Sequence, residues 1–68
     1  MAVATQMPEL AVVELTHELE GHPAGAVGVV VSAHPDEDSY TVEFVDSAGR
    51  AEDIIFASSE DLRLSSLN

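Results

Sequence analysis

His17, Glu18, Glu20 and His22 form the densest group of potential metal ligands in the sequence. A zinc-hydrolase helix uses His-Glu-x-x-His, because four-residue spacing sets both imidazoles on one helical face. Here the histidines stand five residues apart on a stretch that reads as loop. A loop can still gather two imidazoles and a carboxylate around zinc or nickel with one position open. A solvated polar loop is the simpler reading, so no metal and no cofactor is assigned. Asp36, Glu37 and Asp38 resemble the start of a calcium loop, which needs about twelve residues with a glycine at the sixth. No glycine follows them and Tyr40 opens a strand, which makes them a charged hairpin tip. Nucleophilic chemistry has no better footing. There is no cysteine and no Gly-x-Ser-x-Gly, and Ser58, Ser59, Ser65 and Ser66 have no histidine nearby in sequence. Carboxylates are abundant, but a 68-residue chain has little room to bury one and raise its pKa. The expectation is a protein that is not an enzyme.

What remains is charge. Thirteen carboxylates against two arginines and no lysine give a formal charge of −11. Nucleic acid is excluded as a partner, since affinity there comes from cations that neutralise phosphates. Anionic membranes are disfavoured for the same reason. The run from Ala26 to Val31, the longest apolar stretch, falls far short of the roughly 20 residues of a membrane span. The first residues carry neither a basic side chain nor a long apolar run, so a cytoplasmic protein without a leader is expected. So dense an acidic surface carries a potential of several kT. It serves solubility alone, or it captures a basic protein by complementary potential. The candidate contact residues are the loop carboxylates Glu18, Glu20, Asp36, Glu37, Asp38 and Asp46. The function expected is a non-enzymatic acidic protein-binding module: an antitoxin, immunity protein or inhibitor that covers a basic partner. The alternative is an accessory subunit or assembly factor docked on an enzyme. Crowding should raise the carboxylate pKa values on average, because Arg50 and Arg63 cannot serve thirteen acids. His17, His22 and His34 should rise as well.

These residues must be positioned by short elements. No disulfide framework is available to a chain without cysteine, so a compact apolar core has to suffice. Leu10 to Leu15 alternates, with Ala11, Val13 and Leu15 on one face, and its paired valines favour a strand over a helix ending at Gly21. Pro23 and Gly25 read as a turn. Ala26 to Ser32 is a strand in which Gly28 marks a bulge or a close backbone approach. Ala33 to Ser39 is a polar loop around Pro35, Asp36, Glu37 and Asp38, and Tyr40 to Val45 alternates strictly. Asp46, Ser47, Ala48 and Gly49 make a tight connection with Gly49 left-handed. Ala51 to Ala57 is a strand, Ser58 to Asp61 a single 3₁₀ turn, and Leu62 to Leu64 a short closing strand. The expected core is Val13, Leu15, Val27, Val29, Val42, Phe44, Ile54, Phe56 and Leu62. Five short strands with close turns predict an all-β fold, a small SH3-like barrel of antiparallel strands over 10–64. Residues 1–9 form an N-terminal arm and 65–68 a C-terminal tail.

Val12-Val13-Glu14-Leu15-Thr16, then Gly25-Ala26-Val27-Gly28-Val29-Val30, Tyr40-Thr41-Val42-Glu43-Phe44-Val45-Asp46 and Gly49-Arg50 together resemble a family of roughly 60-residue bacterial proteins, domain of unknown function 4926. The resemblance runs from Leu10 to about Leu64. Ala26 departs from the family pattern, which often has an acidic residue there. The resemblance implies the SH3-like fold and a bacterial origin, with no enzymatic activity. It also implies a partner gene beside this one, in toxin–antitoxin or immunity-like pairs.

Overall fold

The computed structural model describes residues 7–46 and 48–66. Five strands occur in it: β1 (Val12–Leu15), β2 (Val27–His34), β3 (Ser39–Val45), β4 (Ala51–Ala57) and β5 (Leu62–Leu64). They form one antiparallel sheet in the order β4-β3-β2-β1-β5. Single 3₁₀ turns at Pro35–Glu37 and Ser59–Asp61 join β2 to β3 and β4 to β5, and no α-helix occurs among the described residues. None of the described residues lies in a helix long and apolar enough to cross a membrane. The β-branched and aromatic runs of β2 and β3 suit a pleated, half-buried sheet. β4 and β5 span the residues the alternation predicts. β1 starts two residues later than expected because Leu10 is left-handed, φ +71°, and breaks the extended run. Met1–Gln6, Ser47 and Leu67–Asn68 lie outside the described residues, and with them most of the expected arm and half of the expected tail.

The core needs correction in two strands. Val13, Leu15, Val42, Phe44 and Leu62 are buried as expected, but Val27, Ile54 and Phe56 are exposed and Val29 is only half-buried. Their places are taken by Val30 in β2 and by Ile55 and Ala57 in β4, joined by Tyr40, Ala11 and Met7. The reason is pairing. Val42 lies directly opposite Val30 on one side and Ile55 on the other, and cross-strand partners share a face. Once Val42 is inside, Val30 and Ile55 must be inside, which turns Val27, Val29, Ile54 and Phe56 outward. Both strands have apolar residues at odd and even positions, so alternation could not choose between the faces.

Gly28 is a close approach, not a bulge. A Cβ there would stand 2.7 Å from Val42 Cγ1 and 2.9 Å from the Glu43 carbonyl oxygen. The bulge falls at Val31, the extra residue between the pairs Val30–Val42 and Ser32–Thr41. It bends β2, whose first half pairs with β1 and whose second half pairs with β3 alone. Met7 packs into the core at 2% exposure, which anchors the end of the expected arm.

Candidate interaction surface

The β1–β2 loop begins where Thr16 is clasped to the β4–β5 turn. Its N–H donates to the Asp61 carbonyl and its hydroxyl to the Glu60 carbonyl. His17 extends the clasp through two ring contacts. Nε2 lies 2.6 Å from Asp61 Oδ1, and Nδ1 lies 2.9 Å from the Glu18 carbonyl. Both partners are acceptors, so only the doubly protonated ring satisfies both. The bond to Asp61, then the bond to the Glu18 carbonyl, raises the His17 pKa above the ordinary histidine value. The Asp61 carboxylate is held low, first by the Ser58 N–H and next by His17 and the Ser58 hydroxyl.

Farther along, Leu19 and His22 exchange both backbone hydrogen bonds around Glu20 and Gly21. Those two residues have φ of +51° and +84°, the pattern of a type I′ turn. Gly21 adopts it freely, whereas glutamate at positive φ is strained. His22 returns the loop to the sheet. Its ring stacks on Phe44 with centroids 4.1 Å apart, and its Nε2 lies 2.8 Å from Asp53 Oδ2. The other Asp53 oxygen accepts from the Ile54 N–H. The His22 bond and then the Ile54 N–H lower the Asp53 pKa.

The six candidate carboxylates divide. Asp38 is left-handed, φ +50°, and its Oδ1 accepts from the Ser59 N–H, tying the β2–β3 turn to the β4–β5 turn. Asp46 organises the β3–β4 turn: its Oδ1 accepts from the Ala48 and Arg50 N–H groups, and Arg50 Nε sits 3.5 Å from Oδ2. It stands at the opposite end of β3 from Asp36–Asp38, about 20 Å away at the usual rise per residue. Glu18, Glu20, Asp36 and Glu37 are exposed, and their carboxylates make no hydrogen bond or ion pair among the described residues. Both arginines are engaged, Arg50 with Asp46 and Arg63 with Glu14 at 2.8 Å.

His17 and His22 therefore serve two separate carboxylates and do not converge, and no group of three potential ligands that could hold a metal ion occurs among the described residues. The expected rise of carboxylate pKa values does not hold for Asp53 and Asp61, which move down. Histidines and backbone N–H groups supply the compensation that arginines could not. A shallow cavity of about 280 Å³ lies beside β5, lined by Met7, Ser59, Glu60, Leu62, Arg63 and Leu64. Sequence reasoning missed the exposed apolar side chains of β4, Ile54 and Phe56, having assigned them to the core.

An antiparallel all-β domain with an acidic, largely uncompensated loop surface is the class these features define. The chain belongs to the family described as Domain of unknown function (DUF4926), whose model matches residues 9–64. No curated protein and no solved structure matches it.

Proposed function

We propose that this chain is a non-enzymatic, cytoplasmic binding module, an inhibitor of antitoxin or immunity type that covers a basic partner protein. We assign its fold to the SH3-like barrels. The strand order and the single 3₁₀ turn between β4 and β5 support that assignment, as does the clasp of Thr16 and His17 onto that turn. The observation that carries the functional reading is the division of the carboxylates. Asp38, Asp46, Asp53 and Asp61 are consumed by the fold, while Glu18, Glu20, Asp36 and Glu37 project from loops with no counter-charge among the described residues. Uncompensated charge costs self-repulsion and is useful where it steers a cationic partner.

The candidate partner is a basic protein of a neighbouring gene, and stopped-flow association with it tests the reading. Between about 0.01 M and 1 M salt the Debye length falls from about 30 Å to about 3 Å. The association rate should drop at least about tenfold over that range. The combined variant Glu18→Gln, Glu20→Gln, Asp36→Asn and Glu37→Gln should show most of that drop already at low salt. A rate indifferent to salt and to the four substitutions overturns the proposal. Assaying the partner's own activity in the complex separates an inhibitor, which abolishes it, from an accessory subunit, which preserves it.

A further inference from the structure

The outward face of β2, β3 and β4 carries apolar side chains that the core does not use. Phe56 is 73% exposed and Ile54 53%, with Val45 and Val31 also exposed. Register makes them neighbours. Phe56 lies opposite Thr41, which lies opposite Ser32 beside the bulged Val31. One pair along, Ile54 lies opposite Glu43, which lies opposite Val29. Isolated exposed apolar residues need no explanation, but an adjacent group on one face marks a contact surface. Its charge has a single sign. Glu43 sits within the band, and Glu52 lies two residues before Ile54 on β4. The two arginines are elsewhere, Arg50 tied to Asp46 at the β3–β4 turn and Arg63 paired with Glu14 across β1 and β5.

The geometry points to this face as the docking surface of a partner protein that brings an apolar centre rimmed by lysine or arginine. Phe56 and Ile54 are the anchors, and Glu43 is the central pairing carboxylate. This rests on the acidic-module reading above and adds to it where the contact is made: the loops steer and the sheet face holds. Aromatic anchors surrounded by polar groups carry most of the affinity in such contacts. Two other occupants fit worse. A second copy would set Glu43 and Glu52 against the same residues, with −11 on each chain. Strand addition along the open edge of β4 meets an Ile54 N–H already bonded to Asp53, which His22 holds in place.

The probes are two synthetic ten-residue peptides, one alternating lysine with leucine and one alternating lysine with serine, titrated into the ¹⁵N-labelled chain at low salt. The lysine–leucine peptide should shift the amides of Thr41, Glu43, Ile54 and Phe56, and Phe56→Ser should weaken it about tenfold or more, the effect of losing a hot spot. Ile54→Ser should act in the same direction. Glu43→Gln should weaken binding at low salt and have no effect at high salt. If both peptides shift only residues 18–20 and 36–38 and Phe56→Ser changes nothing, this inference falls while the acidic-module reading stands. If neither peptide binds, both fall. A salt-promoted dimer in sedimentation that Phe56→Ser abolishes would assign the face to a second copy and overturn the inference.

Discussion

The two phenylalanines of this protein lie on neighbouring strands and have opposite fates. Phe44 on β3 is 3% exposed and carries the His22 ring on its face, whereas Phe56 on β4 is 73% exposed. Residue type, strand type and neighbourhood are nearly the same, so hydrophobicity alone does not decide burial. Pairing does: Phe44 shares the face of Val42, and Phe56 shares the face of Thr41. A phenylalanine turned inward contributes stability. One turned outward contributes little to stability, and it is the anchor of the contact proposed above.

Substituting the pair tests the comparison directly and has the largest expected effect. Phe44→Ala should cost about 3–5 kcal/mol, a large share of the stability of a small domain, and should abolish a cooperative melt or lower its midpoint by tens of degrees. Phe56→Ala should stay within about 0.5 kcal/mol. Equal losses in thermal melts of the two variants would erase the distinction between the faces. Gly28→Ala probes the inner face from the facing strand. Its methyl group would meet Val42 and the Glu43 carbonyl, and backbone yields poorly, so a loss of about 1–3 kcal/mol is expected in urea unfolding.

Smaller effects sharpen the contrast between engaged and unengaged carboxylates. Asp61→Asn should cost about 1 kcal/mol, as the loss of a cap does, whereas Glu37→Gln should be neutral in the same denaturation experiment. The pH dependence follows from the same contacts. His17 has a raised folded pKa, so its contribution is fully present below the unfolded value of about 6.5 and is lost as pH rises through the folded one. Asp53 and Asp61 have lowered folded pKa values. Their contributions are present above the unfolded value of about 3.9 and are lost as pH falls through the folded ones. Thermal melts should therefore peak between about pH 4 and 6.5 and decline toward pH 8.5, and His17→Gln should flatten the alkaline side. A midpoint that rises steadily to pH 8.5 would contradict the His17–Asp61 geometry. The one expected gain of stability belongs to Glu20. Asparagine tolerates the left-handed position of a type I′ turn, so Glu20→Asn should stabilise by about 0.5–1 kcal/mol and raise the melting midpoint by a few degrees.

Strand positions, turn positions and the left-handed Gly49 were legible from local features, because β-branched runs, proline, glycine and aspartate act within a few residues of themselves. Charge and the shortage of arginine were legible too, and they directed attention to the loop acids. Two things were not local. β2 and β4 are apolar at alternate positions of both parities, so the face each buries depends on its partner: Val30 and Ile55 are inside because Val42 is. The carboxylates used by the fold are likewise chosen by residues far away in sequence. His17 reaches Asp61 across 44 positions, His22 reaches Asp53 across 31, and Ser59 reaches Asp38 across 21. Sequence pattern reports what each segment can do by itself. Pleat register and hydrogen-bond donors supplied from distant segments exist only once the sheet has formed, so the assembled sheet decided which aromatic side chains and which acids remained at the surface.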